Sequence, residues 1–429
     1  MRDALTSNIE GAVRMNRTLV AGAAILLAAC ATDPSGPRRS LEPPREFTVQ
    51  EAAVANASVG FGLSLLREVA DAENDPNLMV SPLSASMALG MLLNGASGES
   101  FDDMRATLGF GTMSEEDVNA AYKGLIAQLL ARAPNSDFNL ANSLWHDHQF
   151  QLSQSFVDAL QQNFDAEVAG LDFTDPNAPK RINRWAEQET KGRIRDLIDQ
   201  ISPEEVLFLV NATYFKASWA AQFDRRSTHN AAFNTLAGGT VNVPMMSRDG
   251  AYRHTDTGEV VAVELPYVDS AFSMVVVAPK SGTSLAPVYA QLEPAAWTSL
   301  MDRMRTGRIM LGLPKFRLQY NTRLDPALKD MGMAIIFDGR RADLSRIADG
   351  PAAGNLYVTR VQQNTFLNVD ETGSEAAAAT AVGVGLTSAP PSIVFNRPFV
   401  FAIRERTSGT ILFIGRVGDP RLGGGRENP

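Results

Sequence analysis

From Val369 to Phe399 the chain runs for 31 residues, most of them small, flexible and uncharged, V-D-E-T-G-S-E-A-A-A-A-T-A-V-G-V-G-L-T-S-A-P-P-S-I-V-F-N-R-P-F. A strand-like run, Leu356 to Val369, precedes it, and two more follow, Phe399 to Arg404 and Ile411 to Val417. A loop of that length inside a packed domain is uncommon and is functional or disordered as a rule. Its alternation matters more. Ser374, Ala376, Ala378, Thr380, Val382 and Val384 fall on one side of an extended chain, and Glu375, Ala377, Ala379, Ala381, Gly383 and Gly385 on the other. Alternate side chains of a strand point to opposite faces, so the first set suits a core and the second a less crowded face. No proline interrupts Ser374 to Ser388, and Glu375 is the only charge there. The loop can become a strand.

The rest of the chain supplies a scaffold able to receive one. Apolar residues at helical spacing predict a helix over Val49 to Ala72, closed by Asp75-Pro76. Asn77 to Ser84 reads as a brief strand running into a helix whose Ser/Pro start can cap it; the helix body, Met87 to Leu93, is apolar all round and must be buried. Asp117 to Leu130 and Arg181 to Ile198 predict further helices, the second with Trp185 on its apolar side. Strands are expected at Val206–Phe215, Val260–Pro266, Phe272–Ala278, Ile309–Leu313 and Thr359–Val369. Helices come mainly first and strands later, with hairpin gaps such as Val268 to Ala271. That order favours an α+β fold with a mixed or antiparallel sheet.

Composition removes several kinds of chemistry. The 429 residues carry 39 Lys+Arg against 48 Asp+Glu, a net charge of -9, which disfavours nucleic acid as a partner. One cysteine excludes a disulfide framework and any multi-thiolate metal site. Imidazole chemistry is restricted to His146, His148, His229 and His254, and His146-x-His148 lacks the spacing of a helical zinc motif. Neither G-x-S-x-G, S-x-x-K, a P-loop nor G-x-G-x-x-G occurs. We expect no enzyme, cofactor or metal.

The lone cysteine stands at the end of an export signal. Met15-Asn16-Arg17 opens a short positive start, Leu19 to Ala29 is apolar or small, and the run is too short to span a bilayer comfortably. Leu27-Ala28-Ala29-Cys30 resembles a bacterial lipobox, which implies that Cys30 receives lipid and becomes the mature first residue. Residues 1–29 are then a signal peptide, with Met15 a candidate true start. Residues 30–46, with Pro34, Pro37, Pro43 and Pro44, read as an extended tether, 47–420 as one domain and 421–429 as a disordered tail.

Six segments, in order, resemble one family, the serpins. Asn77-Leu78-Met79-Val80-Ser81-Pro82-Leu83-Ser84 is similar to its entry into the helix beneath the sheet, and Ile182-Asn183-Arg184-Trp185 through Ile194 to the helix crossing the sheet's face. Leu209 to Trp219 resembles the strand that must part from its neighbour. Leu313-Pro314-Lys315-Phe316, Val369 to Ala377 and Phe395-Asn396-Arg397-Pro398-Phe399 complete the set. The resemblance covers about Phe47 to Pro420. It implies a large central sheet with two further sheets, eight or nine helices, and an exposed reactive loop at about residues 371–394 that acts as protease bait.

The resemblance further implies a hinge of Glu371, Gly373, Ser374, Glu375, Ala376, Ala377, Ala378, Ala379 and Thr380, and a sheet-opening network of Ser81, Ser84, Asn211, Trp219 and Gln363. Gln363 replaces the histidine many members carry, so a network with Asn211 and Ser81 remains open to it while a protonation-dependent opening loses its group. The seventeenth residue from Glu371 is Thr387, which places the scissile bond at Thr387-Ser388. Thr387 suits a shallow elastase-like pocket; Leu386, one residue earlier, suits a deeper chymotrypsin- or subtilisin-like one. No Lys or Arg lies between Gly373 and Val394, which disfavours trypsin-like targets. The implied activity is a monomeric suicide-substrate inhibitor of serine proteases, ending in a covalent acyl-enzyme. Its membrane contact would be through the N-terminal lipid alone, on the cell envelope facing the periplasm or the exterior. The alternative is a member of the same fold that binds without trapping.

Overall fold

Thr48 begins the first helix with a reciprocal cap: its hydroxyl accepts from Glu51 N–H, and the Glu51 carboxylate accepts from Thr48 N–H. In the computed structural model, which describes residues 43–350, 356–374 and 390–423, this helix is α1 (Val49–Ala72). Ser81 caps α2 (Pro82–Leu93) with Pro82 in its first turn, and every α2 residue except Ala88 is buried. Four more helices precede the main run of strands: α3 (Gly98–Thr107), α4 (Glu115–Ala131), α5 (Gln154–Phe164) and α6 (Ala178–Glu189).

The strands, numbered in chain order, form two sheets. The six-stranded sheet contains β2 (Asp137–Asp147), β3 (Ala166–Leu171), β4 (Leu207–Ser218), β10 (Phe316–Arg323), β11 (Gln362–Val369) and the two-residue β12 (Gly373–Ser374), in the order β10-β11-β12-β4-β2-β3. The nine-stranded sheet contains β1 (Asn77–Val80), β5 (His229–Asn234), β6 (Thr240–Asp256), β7 (Val260–Pro266), β8 (Phe272–Pro279), β9 (Arg305–Pro314), β13 (Ser392–Val394), β14 (Phe399–Glu405) and β15 (Ile411–Val417). Its halves run into each other through the 17-residue β6, which pairs β5, β9 and β7 in turn. Pairing is antiparallel except for β2/β3 and β9/β13. The result is the mixed arrangement that the order of elements predicts.

α2 lies between the sheets, against β4 on one side and β15 on the other. Met87, Leu89 and Leu93 are each no more than 2% exposed. At roughly 1.5–3 kcal/mol per large apolar side chain removed from water, α2 is held too firmly to move with the sheet above it. It is a fixed floor.

One expectation needs correction. The helix predicted over Arg181 to Ile198 ends at Glu189. The Thr190 hydroxyl donates to Ala186 O and accepts from Ile194 N–H, and Lys191 and Gly192 turn into positive φ. Ile194, Leu197 and Ile198 keep an apolar spacing because they line a cavity, not because they are helical. The strand expected from Thr359 likewise starts only at Gln362. Cys30 and the residues before it, Glu375 to Thr380, Leu386, Thr387 and Ser388 lie outside the described residues.

Candidate functional site

Gly373 and Ser374 form the only described strand between β11 and β4. Ser374 is opposite Val369 on one side and Ala217 on the other, and Gly373 is opposite Ser218. Among the described residues no register pair joins β11 to β4 directly, so below this point the two strands flank a slot. A glycine is required at its top: a Cβ on Gly373 would stand 2.1 Å from Ala217 O.

Several side chains hold the upper end. The Trp219 indole N–H donates to Asp370 O at 2.9 Å, and Trp219 N–H donates to Thr372 O at 2.9 Å. The indole stacks on Tyr267, with centroids 4.7 Å apart and planes at 11°. The Tyr267 hydroxyl in turn shares a 2.7 Å hydrogen bond with the Ser374 hydroxyl, and both groups are buried. Burial pushes the Tyr267 phenol far above its ordinary range, so it stays neutral. Glu371 is anchored beside it: Lys315 donates to Oε2 at 2.9 Å and Thr228 to Oε1 at 2.8 Å. Burial alone would raise the Glu371 carboxyl; the Lys315 ammonium, its own backbone N–H and the Thr228 hydroxyl outweigh that and hold it below the usual glutamate value.

Lower down, the polar residues divide into two sets. Gln363 Oε1 accepts from Ser81 N–H at 2.8 Å, and its Nε2 donates to Ser81 O at 2.9 Å. The Ser81 hydroxyl donates to Leu412 O and accepts from Ser84 N–H. Asn211 is not part of this set, contrary to the network left open above. Its Nδ2 donates to Asn142 Oδ1 at 2.7 Å, and its Oδ1 accepts from the Thr213 hydroxyl. Asn142 donates onward to Phe164 O. The reason is the strand order: Asn211 and Asn142 are register partners on β4 and β2, whereas Gln363 is across the slot.

A cavity of 270 Å³ occupies the lower slot, with Ala85 and Leu89 of α2 as floor and Leu209 and Val361 among its walls. Its roof is Ala186 of α6 with Ile194 and Leu197 of the following segment. α6 presses Trp185 edge-on against Trp145 at 6.3 Å. The roof segment is tied to β11, because Asn364 donates to Asp196 O at 2.7 Å and Arg193 lies over Phe366.

A family model described as serpin (serine protease inhibitor) matches residues 56–420. The chain belongs to the serpin family. It is 34% identical over 385 residues to an uncharacterized serpin-like protein of Thermococcus kodakarensis, covering 87% of each chain. It is 32% identical to human antithrombin-III over 404 residues, covering 91% of this chain and 86% of the relative. The structure is similar to the native state of the thermophilic serpin tengpin, with a TM-score of 0.79 and 28% identity over 88% of this chain and 97% of that one. It is equally similar to human thyroxine-binding globulin, with a TM-score of 0.79 and 28% identity over 86% and 99%.

In this serpin, Glu371, Gly373, Ser374 and Trp219 meet at the top of the slot, and Ser81, Ser84 and Gln363 meet beneath it. Tyr267, Thr228 and Asn142 carry the same site without having been singled out in the sequence, and Lys315 was named there only within the Leu313-Pro314-Lys315-Phe316 segment. Asp147, His148 and Asp172 also come within 4.8 Å of one another at the exposed ends of β2 and β3. Backbone groups account for that cluster: Asp147 accepts from Gln149 and Phe173 N–H, and the His148 ring bonds Leu171 O.

Proposed function

We propose that this serpin is a suicide-substrate inhibitor of serine endopeptidases, in which the cleaved loop fills the slot between β4 and β11. The observation that carries this reading is the Gly373–Ser374 strand, already paired with both neighbours at the slot's mouth. Continuing its register steps each later loop residue one position along both strands. Ala376 would then lie between Phe215 and Leu367, Ala378 between Thr213 and Thr365, and Thr380 between Asn211 and Gln363. Small side chains fall beside bulky ones, and the threonine hydroxyl meets the two amides. Ser374 faces the core, as its alternation in the sequence predicts.

In the first step a protease serine Oγ attacks the Thr387 carbonyl. The bond to Ser388 N breaks, the leaving amine takes the proton, and an ester to Thr387 remains. The freed segment of roughly a dozen residues then adds a strand bonded on both sides. At about 0.5–1.5 kcal/mol net per hydrogen bond the gain is on the order of 10 kcal/mol, comparable with the stability of a whole domain. Travel of the ester-linked protease with the segment would distort its active site before water reaches the ester.

The loop lacks a basic residue, which supports elastase-like, or chymotrypsin- and subtilisin-like, targets over trypsin-like ones. The test is incubation with one protease of each type. A complex that survives boiling in detergent, a released fragment beginning at Ser388 and a raised melting temperature after cleavage support the proposal. Simple cleavage by every enzyme, with unchanged melting, would leave a binding protein of the same fold. The N-terminal segment supports export and lipid attachment at Cys30, which a Cys30→Ala variant lost from the membrane fraction would bear out.

A further inference from the structure

The lower end of the slot is closed by charged side chains that the opening network does not include. Glu205, two residues before β4, is 3% exposed at its side chain. It accepts from Ser202 N–H at 2.8 Å, from the Thr359 hydroxyl at 3.1 Å and from Arg360 Nη2 at 3.2 Å. Arg360, two residues before β11, also donates from Nη2 to Gln200 O at 2.8 Å, and its guanidinium lies 5.5 Å from the Phe208 ring centroid. Its Nε is 2.9 Å from Glu205 Oε1, yet the N–H is out of line and makes no hydrogen bond. One cation thus joins the approach to β4, the end of the roof segment and the approach to β11. All three border the cavity or roof it.

We propose that Arg360 and Glu205 form a clasp that governs the last stage of loop insertion. The inference rests on the insertion reading above. In the register continued from Ser374, Thr380 stops level with Asn211 and Gln363, short of the clasp. Val384 would come level with Leu207 and Thr359, and Leu386 level with Glu205 and Tyr357. A strand reaching that far takes the space in which Thr359 and Arg360 meet Glu205, so these contacts must part first. Because the carboxylate is buried, parting them leaves it without its cation, and the barrier is felt late. The buried ion pair of Glu205 with Arg360 belongs to the lower end alone, and a strand entering from Ser374 meets it last.

Two synthetic acetylated peptides test this on the intact protein: a long one, Ser374 to Leu386, and a short one, Ser374 to Thr380. Uptake is followed by native gel and by the rise in melting temperature, in wild type, Arg360→Met and Glu205→Gln. The expected result is long-peptide uptake at least about fivefold faster in both variants, with short-peptide uptake unchanged. Equal acceleration of both peptides means general loosening of the sheet and overturns the clasp. Unchanged uptake of the long peptide in both variants also overturns it, while leaving insertion intact. If wild type takes up neither peptide and melts alike before and after cleavage, the insertion reading falls and the clasp with it. Arg360→Met keeps the apolar stem over Phe208, so it serves where Glu205→Gln folds poorly.

Discussion

The Ser374 hydroxyl meets the Tyr267 hydroxyl at 2.7 Å, inside the core and directly beneath the stacked Trp219 ring. This pair pins the second residue of β12 between β11 and β4. In Tyr267→Phe the Ser374 hydroxyl loses its partner while the ring stack remains. The hinge should be weakened by about 1–3 kcal/mol, the cost of an unsatisfied buried group. Amide exchange at Gly373 and Ser374 should quicken, with exchange in α2 unchanged; equal protection in both proteins would remove the pair's role.

Ser374→Arg places a long cation where the side chain is 1% exposed. No carboxylate is among the neighbours Ala217, Val369 and Tyr267, so the buried charge should expel the hinge from the slot. The variant is expected to be cut by a target protease at the wild-type bond but to form under a tenth of the wild-type complex. Its melting temperature should barely rise on cleavage. Full retention of complex would mean that Ser374 never enters the core.

Glu371 gives the hinge a pH dependence of known sign. Its carboxyl is held below the ordinary glutamate value in the folded protein, so its contribution is complete above about pH 4.5 and is lost as pH falls through the lowered folded value. Hinge proteolysis should therefore be flat from pH 8 to about 5 and rise only as pH falls below the ordinary glutamate range. Glu371→Gln should start from a higher rate and lack that component. A variant profile parallel to wild type would assign the acid sensitivity elsewhere.

Gln363 cannot change charge, so the pair it makes with Ser81 holds at any pH the fold survives. Gln363→His introduces a group that titrates near pH 6.5 in the unperturbed state. A neutral ring can serve Ser81 with one donor or one acceptor facing it, and a protonated ring cannot accept from Ser81 N–H. Peptide uptake in the variant should gain a step between about pH 5.5 and 7 that wild type lacks; identical profiles would show that this pair does not limit opening.

Local signals carried much of the scaffold. α1, β7 and β15 have the bounds their sequences predict, α1 from its helical spacing closed by Asp75-Pro76 and the two strands from their mainly apolar runs. β10 escaped notice although its side chains alternate perfectly between buried and exposed. At the site, Glu371, Gly373 and Ser374 were legible from loop spacing. Their partners were not: Lys315, Tyr267 and Thr228 lie 56, 107 and 143 residues away along the chain. Such pairings exist only once the sheets are assembled. The split between Asn211 and Gln363 was hidden for the same reason, since both are uncharged amides in strands and only strand order assigns their neighbours.

The twofold grip of Gln363 on Ser81 makes the two edges of the gap unequal. β11 is fastened to the root of α2 there and again where Thr365 donates to Met79 O, while Asn211 of β4 donates at 2.7 Å to its neighbour β2 and reaches α2 only by a long 3.9 Å contact with the Met87 sulfur. Force applied at the mouth therefore meets a rigid jamb on one side and a sliding door on the other. On the proposed insertion, β4, β2 and β3, paired in that order, are expected to travel together, and substitutions on their outer face should set how freely the door runs.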